Sequence, residues 1–370
     1  MKVLLVIRWP VGGIRTYLRY IYTQSVFKDC QFTLIATDVD FKGFAREYLT
    51  ENQFEFVFTD DNNKALMAAY KQVLSTNKFD IVHAHGFSSG ALMASLPRLM
   101  PRRSVMTAHD VFLPQQFKGW KGKLKLLGIN LLFSRFDHVL TVGADACKNF
   151  SEFIPALPQR KIKNIDHGVD AKRFAVAEVR HYRAEFDSQN RKIIGFFGRF
   201  MSQKGFLDVI KAMKLLSARI APEEMPLVLT FGWGGFIRED YALIDQLGLS
   251  DYFRQLPFTD DVPAAIKGVD VVVMPSRWEA CGLLAMEVLC AGKPLVATNC
   301  IGLRCVVEGT PARVVDPYSP DQLADAIQAA LADEGTAFKD FQQEAVNRFD
   351  LHRPALELYR FYQAILEGAN

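Results

Sequence analysis

Short apolar runs alternate with stretches of helical periodicity along the whole chain. Residues 3–7, 32–36, 81–84, 105–108 and 139–142 are nearly unbroken apolar segments. Such runs predict strands buried on both faces. Residues 193–197, 227–231, 271–274, 295–298 and 313–315 repeat the pattern in a second series. Between them lie helical patterns, among them 16–23, 321–333 and 356–366. Strands separated by helices predict parallel sheets with crossover connections, an α/β architecture. The 173–190 stretch is polar and charged without strand character. It marks a boundary between two sheets near 169–179.

Size agrees with two domains. The chain has 370 residues, and single cores usually stop growing well short of that. It is 49% hydrophobic and 23% charged, an ordinary globular balance. No apolar run reaches the ~18 residues of a membrane span, and the short apolar start reads as a first strand, not a signal peptide. Six cysteines without Cys-x-x-Cys spacing predict reduced, mostly buried thiols and a cytoplasmic protein. Net charge is +3, but residues 1–172 carry 23 Lys/Arg against 15 Asp/Glu, and the remainder 21 against 26. That asymmetry suggests an anionic partner for the first half. No nucleic-acid-binding signature accompanies it, so nucleic acid is not expected.

The densest chemistry lies at Asp270-Val-Val-Val-Met-Pro-Ser-Arg-Trp-Glu279-Ala-Cys-Gly282-Leu283-Leu284-Ala-Met-Glu287. An apolar strand runs to a proline, and Gly282 opens a helix. Glu279 falls just before the helix start. Glu287 falls roughly 7 Å along it, at ~1.5 Å per residue. Amides at Gly282, Leu283 and Leu284, with the helix dipole, suit a pyrophosphate. A carboxylate further in can accept from two ribose hydroxyls. A solvated Glu and a capping Glu fit this stretch equally well when it is taken alone. A second segment alters the balance: strand 193–197 ends in Gly198-Arg199, and Lys204-Gly205 follows. Two cations at the carboxyl end of a parallel strand suit a diphosphate.

With these motifs in register, the chain resembles the family-4 nucleotide-sugar glycosyltransferases of the GT-B fold. Ala291-Gly-Lys-Pro-Leu-Val-Ala-Thr298, His167-Gly168-Val169-Asp170, Phe79-Asp-Ile-Val-His-Ala-His85 and Gly12-Gly13 continue the likeness in the family's order. The resemblance implies two Rossmann-like parallel-sheet domains facing a central cleft. Residues 1–172 would form the acceptor-side domain and 173–350 the nucleotide-sugar domain. Residues 351–370 would be a helix crossing back onto the first. It implies a retaining, hexosyltransferase-type enzyme. Such an enzyme moves a sugar from a nucleoside diphosphate sugar to a hydroxyl of a glycan or lipid-linked acceptor, as in polysaccharide or lipopolysaccharide synthesis. UDP-sugars are favoured over GDP-sugars by family frequency.

The resemblance also distributes roles. Arg199 and Lys204 neutralise the leaving diphosphate, Glu279 contacts the donor sugar, and Glu287 holds the ribose. Gly198, Gly282, Leu283 and Leu284 line the donor. Gly12 and Gly13, in a turn after the first strand, approach phosphate and acceptor. His109, in Thr107-Ala-His109-Asp110, is expected to hydrogen-bond a sugar hydroxyl or to steady charge through its backbone carbonyl. His85 is expected to face the substrate while His83 packs, and Asp110 remains a candidate on the acceptor side. No cofactor or metal is expected: His-x-His at 83 and 85 has no third ligand at suitable spacing, and Asp38-Val-Asp40 reads as turn chemistry.

Residues 117–135 are basic and apolar without an acidic residue. Two readings fit: a core helix with a solvated basic edge, or a segment lying on an anionic membrane surface. The second would make the protein peripheral on the inner membrane face.

Some positions depart from the family pattern. Ala280 stands where glycine is usual, the segment from Ile301-Gly302 to Glu308-Gly309 lacks the second glycine of the family's Gly-Gly-x-x-Glu, Cys305 falls where its Glu is expected, and His167 stands where Asn is common. Rival readings are a nucleotide-sugar epimerase or a non-catalytic sugar-nucleotide-binding protein. A nicotinamide oxidoreductase lacks its glycine fingerprint here.

Overall fold

The computed structural model describes residues 1–50, 53–186 and 191–368; the last part of the polar 173–190 stretch therefore lies outside the described residues. The chain divides into two compact units. The first comprises Met1–Gly168 with the segment from Leu351 onward, and the second comprises Val169–Asp350.

The first unit is built on seven parallel strands: β1 Lys2–Ile7, β2 Gln31–Thr37, β3 Phe54–Thr59, β4 Ile81–His85, β5 Ser104–Ala108, β6 His138–Thr141 and β7 Ile162–Asn164. Their order is β3-β2-β1-β4-β5-β6-β7. Helices cover both faces, so the central strands are buried throughout, and Val3–Ile7 have no exposed surface at all. The sequence-predicted strands here match β1, β2, β4, β5 and β6; β3 and β7 were not predicted. After β1, Gly12 adopts φ +54° and caps a short helix, Gly13–Tyr17, which widens into a π-helical turn at Leu18–Tyr22. The helix His352–Glu367 completes this unit. It buries Pro354, Ala355, Leu358, Phe361, Tyr362 and Ile365 along one stripe of 3.6-residue period. Tyr359 and Tyr362 pack on Phe27.

The second unit carries six parallel strands: β8 Ile193–Phe197, β9 Leu227–Phe231, β10 Phe253–Leu256, β11 Val271–Met274, β12 Leu295–Thr298 and β13 Arg313–Val315. Their order is β10-β9-β8-β11-β12-β13. Five of the six have the predicted bounds; β10 was not predicted. The helix Ala171–Val176 belongs here, with Phe174 buried. Both sheets are of the doubly wound, Rossmann-like type, and in each the strand order reverses beside the first strand. That reversal opens a crevice at the carboxyl ends, between β1 and β4 in one unit and between β8 and β11 in the other.

Candidate active site

In the second unit the switch point is occupied by the loops that leave β8 and β11. Gly205, at φ +70°, lets the 202–205 turn lie on the exit of β11. A Cβ there would stand 2.0 Å from the Pro275 carbonyl oxygen. The Arg277 amide donates to the Gln203 carbonyl at 2.8 Å, and Gln203 Nε2 donates to the Trp278 carbonyl at 3.0 Å. This lacing brings Lys204 to Glu279, with Nζ donating to Oε1 at 2.7 Å. Ser276 Oγ donates to the same oxygen at 2.6 Å. Ser276 is held in turn by its carbonyl, which accepts from Thr298 Oγ1 at the end of β12. Glu279 is buried, yet its Oε2 has no protein partner among the described residues. One oxygen is thus fixed and the other is available to a ligand.

Arg199 follows β8 and is exposed. Its neighbours are pinned: the Gly198 amide donates to the Phe231 carbonyl at 3.0 Å, and the Phe200 amide to the Trp233 carbonyl at 3.1 Å. Gly232 must be glycine, because its φ is +130° and a Cβ would meet the Gly198 oxygen at 2.3 Å. Trp233 and Phe236 project from the same loop with about half or more of their surface exposed, and Phe258 does so after β10.

The helix Leu283–Cys290 starts at Gly282 without a side-chain cap. The expectation of three open amides is corrected here. The Gly282 amide donates to the Gly302 carbonyl at 3.1 Å, and the Leu283 amide to the Cys281 carbonyl at 2.9 Å. Leu284 keeps an amide with no protein acceptor among the described residues. The cause is the close approach of Gly302, whose φ is +77° and whose Cβ would stand 2.1 Å from the Glu279 oxygen. The chain thus keeps the one glycine of the pair that backbone contact demands. Glu287 lies in the second turn of the helix, half-buried. Burial pushes its carboxyl up to about 8, while the charge of Arg173 pulls the other way. Groups perturbed this far cluster at functional sites.

In the first unit, Gly12 and Gly13 are exposed and nothing stands within 4 Å of either Cβ direction. His109 follows β5 and is partly exposed. The expectation that His85 faces substrate is corrected: it is buried, as is His83. Residues two apart on a strand share a face, so the two imidazoles stack at 4.3 Å. His85 touches His109 instead, Nδ1 to Nε2 at 2.9 Å. Asp110 is exposed, and its Oδ1 accepts from the Val111 amide at 2.8 Å. Asp38 pairs with Lys42 at 3.0 Å and Asp40 sits at φ +49°, turn chemistry at the end of β2.

Sequence reasoning missed several members of this cluster. Tyr17 lies edge-on to the rings of His109 and His167, with centroids 5.0 and 5.2 Å away. Tyr22 and Tyr362 bond the histidines from behind. His167 entered the sequence reading as part of the His167-Gly168-Val169-Asp170 likeness and as a departure at its first position, without a site role. Burial holds it near 4, partly offset by its bond to the Gly168 carbonyl. A local signal existed for Tyr17 and Tyr22, both in the segment after Gly12-Gly13. None existed for Tyr362.

Helix Gly119–Phe133, within the 117–135 segment, has a packed face and an exposed face. Phe133 is buried, with Leu126, Ile129 and Leu132 packed on the core. Trp120, Leu124, Leu127 and Leu131 form a single exposed stripe, each 57–73% accessible. Lys121, Lys123 and Lys125 are exposed beside it. No helix among the described residues is long and apolar enough to cross a membrane. Among the same residues, no group of three or more His, Cys, Asp or Glu side chains is arranged to hold a metal ion.

Comparison with known proteins agrees with this geometry. Residues 11–173 match the model of Glycosyltransferase Family 4, and residues 179–348 that of Glycosyl transferases group 1. An uncharacterised glycosyltransferase of Methanocaldococcus jannaschii is 26% identical over 80% of this chain and 78% of its own length. An Escherichia coli UDP-Gal:alpha-D-GlcNAc-diphosphoundecaprenol alpha-1,3-galactosyltransferase is 26% identical over 66% of this chain and 64% of its own. In fold, the chain superposes on Anabaena HepE, solved with UDP-glucose, with a TM-score of 0.82. The identity is 22%, covering 98% of this chain and 100% of that one. Two doubly wound sheets, a cation–carboxylate pair at the switch point of the second, and two family matches that together span most of the sequence lead to one assignment: the chain belongs to the family-4 glycosyltransferases of the GT-B fold.

Proposed function

We propose that this glycosyltransferase moves a hexose from a UDP-sugar, with retention of configuration, to a hydroxyl of a glycan or lipid-linked acceptor. The observation that carries the donor assignment is the Lys204–Glu279 pair beside Arg199 and the helix Leu283–Cys290. A diphosphate there meets Arg199, Lys204 and the Leu284 amide, which stabilise charge as it develops on the leaving group. Gly198 and Gly282 let backbone approach it. Glu279 Oε2 takes a donor-sugar hydroxyl, and Glu287 takes the ribose. This set supplies positive charge without a metal, and metal independence is part of the proposal. UDP is favoured as carrier because HepE binds UDP-glucose and the Escherichia coli relative uses UDP-Gal.

On the first unit, His109 and the Gly12–Gly13 turn contact the sugar part of the substrates. Retention follows the family resemblance. The leaving phosphate would accept the acceptor's proton on the face where the new bond forms. Asp110 is tied to its own turn, which favours this route over a carboxylate nucleophile. The exposed stripe of helix Gly119–Phe133, flanked by lysines, supports docking on an anionic membrane surface and hence a lipid-linked acceptor.

A thermal-shift series with UDP, GDP, ADP and their glucose conjugates tests the donor assignment. Binding stabilises the fold by RT ln(1+[L]/Kd). A shift with UDP-sugars that Arg199→Ala and Lys204→Ala abolish is expected. No shift with any nucleotide sinks the donor assignment. Unchanged turnover with chelator, and an α-linked product from an α-linked donor, are the expected results for metal and stereochemistry.

A further inference from the structure

Behind His109 lies a continuous chain of buried hydrogen bonds that the reaction as proposed does not use. Thr107 Oγ1 is 2.7 Å from His83 Nε2. His83 Nδ1 is 2.5 Å from the Tyr362 hydroxyl, which is 3.0 Å from the Tyr22 hydroxyl. Tyr22 is 2.8 Å from His85 Nε2, and His85 Nδ1 is 2.9 Å from His109 Nε2. Tyr22 also lies 3.3 Å from His83 Nδ1, a longer contact within the same cluster. Every member but His109 is buried. Burial and the neighbouring imidazoles hold His83, His85 and His109 well below their ordinary value, so all three rings are neutral.

A neutral imidazole has one donor nitrogen and one acceptor nitrogen, and a hydroxyl has one proton. A single line of such groups therefore has only two consistent arrangements, each with all protons pointing the same way. In the first, His109 carries its proton on Nε2, protons point toward Thr107, and the Thr107 hydroxyl must find another acceptor. None is present among the described residues, although Thr107 is only 1% exposed. In the second, Thr107 donates to His83, His83 to Tyr362, Tyr362 to Tyr22, Tyr22 to His85, and His85 to His109 Nε2. Every buried proton then lies between two heavy atoms, as buried donors require.

We propose that this relay fixes His109 as its Nδ1–H tautomer, so that it meets substrate as a hydrogen-bond donor and not as a base. His85, Tyr22, Tyr362, His83 and Thr107 are then positioning residues that act through His109. The inference rests on the reading of His109 as a substrate-contacting residue, and it adds which atom makes the contact and why. A donor nitrogen suits a sugar hydroxyl oxygen or a phosphate oxygen. It excludes proton abstraction from the acceptor by this ring.

The test is a long-range ¹H–¹⁵N spectrum of the ligand-free, full-length protein with ¹⁵N-labelled histidine. His83, His85 and His109 are expected to show a protonated Nδ1 and a bare Nε2, and any of the three in the Nε2–H form overturns the proposal. In Tyr22→Phe, His85 and His109 are expected to lose the fixed tautomer while His83 keeps it; unchanged spectra for all three overturn the relay. Thr107→Ser is expected to preserve the wild-type pattern and Thr107→Val to lose it, which provides a second route if Tyr22→Phe does not fold. Equal spectra for the two Thr107 variants overturn the inference. These readings involve no donor or acceptor. A failure of nucleotide-sugar binding would therefore count against the proposed function and leave the tautomers as measured.

Discussion

Lys204 and Glu279, 75 residues apart in sequence, are bonded at 2.7 Å. The sequence reading assigned them separate tasks, one for phosphate and one for sugar. Their bond makes the tasks interdependent, because a diphosphate must share Lys204 with a carboxylate already in place. Lys204→Ala is expected to lower turnover with the cognate sugar nucleotide by ~10²–10³-fold, in the range of losing one transition-state donor. It also leaves Glu279 with only Ser276. Breaking a fully buried pair costs roughly 3–5 kcal/mol, and this one, with Lys204 about a quarter exposed, is expected to cost less. A double-mutant cycle with Glu279→Gln, read by both chemical denaturation and turnover, measures the coupling. Additive effects on both readouts would mean the pair is incidental.

Glu287 provides a pH signature. Its carboxyl titrates near 8 in the folded protein against an ordinary 4.5. The folded state therefore holds a proton that the unfolded chain has released, and this contribution to stability falls as pH rises from 4.5 to 8. Glu287→Gln is expected to flatten that slope in melting curves. If Glu287 accepts ribose hydroxyls as a carboxylate, UDP binding at pH 7 must expel a proton. Calorimetric enthalpies should then vary with buffer ionisation in the wild type and not in the Gln variant. Buffer-independent enthalpies in both would remove the ribose role.

The histidine cluster has the opposite sign. His83, His85 and His109 titrate well below 6.5, and His167 near 4. The unfolded chain takes up protons that the folded unit refuses, so their contribution is complete above 6.5 and is lost as pH falls from there toward 4. Acid is expected to melt the first unit over that window. His167→Asn is expected to reduce the slope. A melting temperature that does not change from pH 7 to 4.5 in the wild type contradicts the burial of these rings as neutral groups.

The exposed stripe at Trp120, Leu124, Leu127 and Leu131 gives a binding prediction. Flotation with vesicles containing phosphatidylglycerol should carry the protein upward at low salt and less at high salt, as screening weakens the lysine contribution. Leu127→Glu with Leu131→Glu is expected to abolish flotation and leave UDP-glucose binding unchanged. Equal flotation with neutral vesicles would point to apolar insertion alone. No flotation at low salt would remove the membrane.

Most of this architecture was legible in the sequence because the central strands are buried on both faces. Runs such as Val3–Ile7 and Val271–Met274 show that burial directly. All three strands missed, β3, β7 and β10, are sheet edges. They pair on one side only, and Phe253-Arg-Gln-Leu256 and Ile162-Lys-Asn164 expose polar residues, whereas every position of the central β4 and β5 is buried. In β3 the signal was present but of another kind. Phe54, Phe56 and Phe58 alternate and stack on one face, a period-two pattern overlooked in a search for continuous runs.

The site was legible where its residues are close in sequence or share a motif. Glu279 and Glu287 showed themselves by spacing, and Arg199 and Lys204 by their place after a strand. The amides of Gly282 and Leu283 could not be judged, because their acceptors depend on where Gly302 folds. The relay behind His109 was hidden for a stronger reason. Tyr22 and Tyr362 are 340 residues apart, and no local pattern links them.

That separation has a consequence for biosynthesis. The innermost polar contacts of the first unit await a tyrosine translated only after the whole of the second unit. Until the ribosome has delivered it, His83 keeps only Thr107 and its longer contact to Tyr22, and Tyr22 lacks its tyrosine partner. The first half to emerge is therefore the last to be finished, and a nascent chain stalled after the second sheet should remain a chaperone client despite holding two nearly complete domains.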